Sequence, residues 1–273
     1  MMTSYINSAD LEWLKAYSST LSNLPTILID FKVMLGERPN IVYGRPSDSR
    51  LREVFEIASR GARSWAGNMD YARRQHAAFA GFSNRVQILI SQLELFSSRS
   101  GGVKFFSILL DRPPFSLIGK HGFPLMTTPL AYLNYIRSAL QTHQVFFTEG
   151  ANVFQTLRED AATVLPRSMD LMRLSVSDFK RRAGHNAAKA LEAEQAIRTL
   201  ERQYLQSLSA TQNLSAHFDR VAELLKNLQP DLLGIDANSS AEDALLSFQL
   251  MNARLAEAEG VAGSVIKLMS PMT

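Results

Sequence analysis

The chain has 273 residues, 46% hydrophobic and 20% charged, which is the balance of a globular protein rather than a disordered one. Its 14 glycines and 10 prolines are too few for the turn density of an all-β fold, and a net charge of +3 is too small for a dedicated nucleic-acid binder. Cysteine is absent, which excludes disulfides, thiolate metal sites and cysteine nucleophiles.

Residues 1–10 are polar and lack the basic-then-apolar order of a signal peptide. No uncharged apolar stretch reaches the ~18 residues of a membrane-spanning helix. The expected location is the cytoplasm, or the outside of the cell reached without a classical signal peptide.

A first helix is predicted from Ser8, which can cap it, to about Leu21, with Leu11, Leu14, Tyr17 and Leu21 on one face. Pro25 then opens an apolar run, Ile27–Leu35, too dense for periodicity to separate helix from strand. Residues 36–49 hold two glycines and two prolines and read as a loop. From Leu51 to about Phe96 the pattern is strongly helical. Leu51, Phe55, Ala58, Ala62, Trp65, Met69 and Ala72 share a stripe, which resumes after a polar gap at Phe79, Phe82, Val86, Leu89, Leu93 and Phe96. Gly61, Gly67 and Gly81 are its weak points. Trp65-Ala66-Gly67 matches the Trp-x-Gly turn of small secreted helical hairpins, but a core tryptophan beside a helix-weakening glycine is the simpler reading.

Ser97–Gly102 breaks the pattern. Val103–Leu110 is apolar, Asp111-Arg112-Pro113-Pro114 is a turn, and Phe115–Ile118 is apolar again. Val103–Met126 reads as an apolar, non-helical insertion at one end of a helical bundle, either a β-hairpin or an extended loop. Its Phe105, Phe106, Leu109, Leu110, Phe115 and Leu117 are the candidate contact residues for a membrane or a partner.

A further helix is predicted from Thr128, with Pro129 in its first turn. Its stripe runs Leu130, Leu133, Ile136, Leu140, His143 and Phe147, then Phe154, Leu157, Ala161 and Val164 after Gly150. A long element is predicted from Pro166 to Leu228. Its apolar residues recur at a mean step of about 3.5, the signature of a left-handed coiled coil. Gly184-His185-Asn186 is where it would kink, and Ala183, Ala187, Ala190 and Ala193 make part of its seam narrow. Gln229-Pro230 and Gly234 close it. Ser239 stands at capping-box spacing from Glu242 ahead of a last helix carrying Leu245, Phe248, Met251, Leu255, Ala258, Val261, Val265 and Leu268 on one face.

Chemistry-bearing patterns are missing. None of the 5 histidines belongs to His-Glu-x-x-His or follows a glutamate by three residues, so the zinc-protease and di-iron bundle patterns are absent. His143 falls on an apolar stripe and reads as a core or boundary histidine. No phosphate loop, dinucleotide fingerprint or nucleophile elbow is complete. Arg73–Arg74 and Lys180–Arg181–Arg182 read as solvated helix faces. The chain is expected to be no enzyme, and to take no cofactor, metal, small-molecule substrate or nucleic acid.

The fold class expected is all-α: an elongated bundle of long amphipathic helices with coiled-coil character, one domain over 1–273, with the insertion at 103–126. The apolar stripes suit a helical interaction or assembly protein that packs with itself or with a protein partner. The layout also resembles that of cytolysin-type helical toxins and their two-component relatives, in which long helices surround a sheltered apolar insertion. The resemblance is one of layout and carries no functional residue across. It implies a pore-forming toxin component in which 103–126 meets the membrane. Lys104, Asp111, Arg112 and Lys120 interrupt that segment, each costing about 2.5–3.5 kcal/mol at a bilayer centre. A structural part of a phage or secretion machine would show the same stripes.

Overall fold

The computed structural model describes residues 6–42, 45–97, 129–182, 186–235 and 239–269. Helix accounts for 91% of them, as the stripes require.

Helix α1 spans Ser8–Met34. Its cap is Asn7 rather than Ser8: the Asn7 side chain accepts from the Asp10 N–H at 3.0 Å, and the Asp10 carboxylate accepts from the Asn7 N–H at 2.9 Å. This reciprocal pair satisfies two donors that a helix start otherwise leaves orphaned. The helix does not stop near Leu21 but runs through Pro25. A proline inside a helix costs about 3 kcal/mol. Leu24, Leu28 and Phe31, all buried, continue the stripe of Leu14, Tyr17 and Leu21 past it, and their burial outweighs that cost. Gly36, at φ +74°, ends the helix in the left-handed region, and its N–H bonds the Val33 carbonyl at 2.9 Å. The following stretch is not wholly loop. Strands β1 (Ile41–Val42) and β2 (Arg45–Pro46) form a small antiparallel ladder, Ile41 opposite Pro46.

Helix α2 spans Ser49–Ser97, so none of its three glycines breaks it. Helix α3 spans Pro129–Arg182. No boundary falls at Pro166: Val164, Leu165, Met169 and Met172 are buried on both sides of it, so the stripe carries the helix across the proline. The predicted Pro166–Leu228 helix is instead two. Helix α4, Ala187–Lys226, starts five residues after α3 ends, so the two helices are separated where the kink was predicted. A short α5 (Gln229–Leu233) leads to α6 (Ala241–Met269). The start of α6 is capped one residue later than the spacing suggested. Ser240 Oγ accepts from the Asp243 N–H at 3.0 Å and donates to its carboxylate at 2.6 Å.

The chain divides into two compact units. The first comprises Tyr5–Tyr71 and Asn152–Ser215. Within it α1 runs antiparallel to α2, because Tyr17 meets Trp65 while Leu21 meets Gly61. Helix α2 runs antiparallel to α3, through Trp65 with Phe154 and Glu53 with Arg167. Helices α3 and α4 do the same through Lys180–Glu194 at 2.7 Å and Arg173–Glu201 at 3.8 Å. Helices α4 and α1 close the ring through Gln203 with Thr20 and Asn213 with Asp10. Each neighbour is antiparallel, which makes this unit an up-down four-helix bundle. Ala190 and Ala193 line its seam as predicted, whereas Ala187, the first residue of α4, is exposed, and Ala183 lies outside the described residues.

The second unit comprises Met1–Ser4, Ala72–Ala151 and Ala216–Thr273. Helices α2 and α3 are again antiparallel, with Phe82 on His143 and His76 on Phe147. Here α6 packs against both α2 and α4. Ser83 donates to Glu259, and Arg220 pairs with Glu257 at 3.6 Å while Arg254 donates to the Asn227 carbonyl at 2.9 Å. Arg137 of α3 ties down α5 by donating to the Leu232 and Ile235 carbonyls.

Candidate membrane-facing site

The six apolar residues singled out by sequence, Phe105, Phe106, Leu109, Leu110, Phe115 and Leu117, lie outside the described residues, as does all of 103–126. What the structure positions is the pair of helices that this segment joins. Helix α2 ends at Ser97 and α3 begins at Pro129. Because the two are antiparallel within the second unit, α2 leaves and α3 returns at the same end of the pair. Their inward residues toward that end, Val86, Ile90, Leu133, Ile136 and Leu140, are buried and apolar.

Farther along the same pair lies a layer of histidines. His76 of α2 is fully buried. Its Nδ1–H donates to the Ala72 carbonyl at 2.8 Å, and its ring stands edge-on to Phe147 at 5.1 Å and Phe218 at 5.2 Å. It stacks on His217 of α4 at 5.9 Å, with an interplanar angle of 20°. His143 of α3 packs between Phe79 at 5.5 Å and Phe82 at 5.2 Å. Among the described residues, His76 Nε2, His143 Nδ1 and both ring nitrogens of His217 have no hydrogen-bond partner. An imidazolium is poorly accommodated in such surroundings. Burial pushes His76 down to about 4. Burial and then the Arg85 charge push His143 to about 4, and burial and then His76 push His217 to about 3. All three rings are neutral at pH 7.

His143 is therefore the boundary histidine that its stripe implied. The other two were missed. The polar gap between Ala72 and Phe79 is filled by His76, in step with both, and His217 sits directly before Phe218 on the α4 stripe. The signal was available: both positions keep the three-four spacing, but only if histidine is admitted to the stripe. Among the described residues no group of three histidine, aspartate or glutamate side chains is arranged to hold a metal ion.

The layer is tightly packed. A Cβ placed on Gly150 would overlap the buried Phe218 ring, so only glycine lets α3 and α4 approach this closely. Gly150→Ala is expected to lower stability by about 1–3 kcal/mol through overpacking, although alanine favours helix by about 1 kcal/mol. Urea unfolding checks the sign.

The basic run on α3 is occupied by ion pairs. Lys180 binds Glu194, Arg181 binds Asp178, and Arg182 binds Glu37 at 3.3 Å. These side chains are half or more exposed, as on a solvated face. No helix among the described residues is long and apolar enough to cross a membrane.

No known protein family matches the chain by sequence, and no curated protein does. Solved structures do resemble it. The crystal structure of XaxA from Xenorhabdus nematophila matches 97% of this chain and 97% of its own, with a TM-score of 0.65 and 11% identity. At that identity the likeness is one of fold, and it extends end to end. The structure of soluble AhlC, of the tripartite alpha-pore forming toxin AHL from Aeromonas hydrophila, matches 90% of this chain and 96% of its own, with a TM-score of 0.32 and 13% identity.

Proposed function

We propose that this chain is a component of an α-helical pore-forming toxin, non-enzymatic, acting with itself or with a partner protein, and that residues 103–126 are its membrane-facing segment. One observation carries the reading. Two long amphipathic helices, α2 and α3, deliver a segment bearing Phe105, Phe106, Leu109, Leu110, Phe115 and Leu117 between their adjacent ends, in a fold that XaxA shares along its whole length. That layout resembles the cytolysin-type helical toxins, whose chemistry needs no catalytic group, only apolar area transferred to lipid. Lys104, Asp111, Arg112 and Lys120 make a lone spanning helix costly here, which favours work in an assembly where these charges face one another or water.

The test is dye release from vesicles of mixed zwitterionic and anionic lipid, with binding read in parallel by flotation. The wild-type chain is expected to float with the vesicles, and Phe105→Asp is expected to stay folded and lose at least tenfold in binding. If Phe105→Asp unfolds the chain and the wild type never binds lipid, residue 105 is core and the reading is wrong.

A further inference from the structure

We propose that the layer formed by His76, His143 and His217 is an acid-triggered joint, whose protonation unpacks α2, α3 and α4 from one another at this level of the second unit. The geometry is that of a switch rather than of a stable polar core. Three rings from three helices share one aromatic cluster of Phe79, Phe82, Phe147 and Phe218, linked ring to ring. Neutral, they behave as apolar plates. Protonated, each adds a charge to a place with no counter-ion, and the His76–His217 stack places two such charges 5.9 Å apart.

The surrounding charges do not relieve this. On α2, Arg85 faces His143 and is itself positive. On α4, Asp219 follows Phe218 and Arg220 is held by Glu223 and by Glu257 of α6. Glu259 of α6 accepts from Ser83 and from Gln87 at 3.0 Å. On α3, Glu149 is exposed to solvent. Among the described residues no carboxylate forms an ion pair with any of the three histidines. Their folded-state affinity for protons is thus below the unfolded one. The contribution of these three groups to stability is nearly constant well above pH 6.5 and falls as the pH drops from 6.5 toward 4, because the unfolded chain takes up protons that the folded one refuses.

In the pore-forming reading this joint sits on the two helices that carry residues 98–128, so acid would free the ends from which that segment departs. This last consequence rests on the proposed function; the unpacking does not. Between pH 7 and pH 5 each histidine shifts the unfolding equilibrium by about twentyfold. Urea unfolding at the two pH values is therefore expected to show a loss on the order of a thousandfold or more for the wild type. The triple variant His76→Phe, His143→Met, His217→Leu is expected to lose less than tenfold, and an equal loss in both would overturn the proposal. Of the 5 imidazole resonances of the wild type, the three from the layer should not titrate above pH 5 while the chain is folded, whatever His121 and His185 do. Titration of all 5 near 6.5 in the folded state would also overturn it. Vesicle flotation at pH 5 separates the two proposals: an acid-unpacked wild type that ignores lipid keeps the switch and removes the membrane role.

Discussion

Trp65→Ala is expected to lower the stability of the folded chain by about 3–5 kcal/mol, read from urea or thermal unfolding. Trp65 is only 4% exposed and stands edge-on to Tyr17 of α1 at 6.0 Å and to Phe154 of α3 at 6.2 Å. One indole therefore joins three helices of the four-helix unit. Truncation removes both aromatic contacts and leaves a cavity that rigid helix backbones cannot close. A tryptophan at the surface would cost only about 0.5 kcal/mol on the same change, so the size of the loss checks that Trp65 joins the three helices.

Phe147→Ala is expected to cost a similar 3–5 kcal/mol at pH 7, with a second effect that a plain core residue lacks. Phe147 touches His76, Phe79 and Phe218 and is fully buried. Removing its ring admits water beside His76, which weakens the desolvation that holds that imidazole down to about 4. The variant starts less stable, yet it should lose less of what remains between pH 6.5 and pH 4, because its folded state now accepts the proton more readily. Unfolding curves across that range would show a lower, flatter profile. A profile parallel to that of the wild type would mean that Phe147 does not shield the histidine.

The helical fold was legible because apolar spacing alone dictates it, and the stripes on α2, α4 and α6 predicted most of the buried positions. Errors gathered where a local rule met packing. Pro25 and Pro166 were read as boundaries because proline lacks an N–H, yet buried residues on both sides of each carry the helix through. At the start of α6 two adjacent serines each stood three residues before an acid, and spacing could not choose between them; Ser240 with Asp243 makes the bonds. The histidine layer was hidden for a different reason. A polar residue type breaks an apolar count, although at pH 7 a neutral ring packed on phenylalanines is nearly apolar in effect. Residues 103–126 were legible as composition only, since apolar residues interrupted by charge suit a bundle cap and a lipid contact equally.

The central claim is that residues 103–126 meet lipid, and the absence of native cysteine makes it directly measurable. A single cysteine introduced as Phe106→Cys and labelled with an environment-sensitive fluorophore reports on that segment alone. The same label at Leu205→Cys, a position 60% exposed on α4, serves as reference. On mixing with vesicles at pH 7 and at pH 5, the label at 106 should shift to the blue and be quenched by spin-labelled lipid tails, while the label at 205 stays as in water. If vesicles are permeabilised and the label at 106 remains in water, or if neither label responds at either pH, residues 103–126 do not face the membrane.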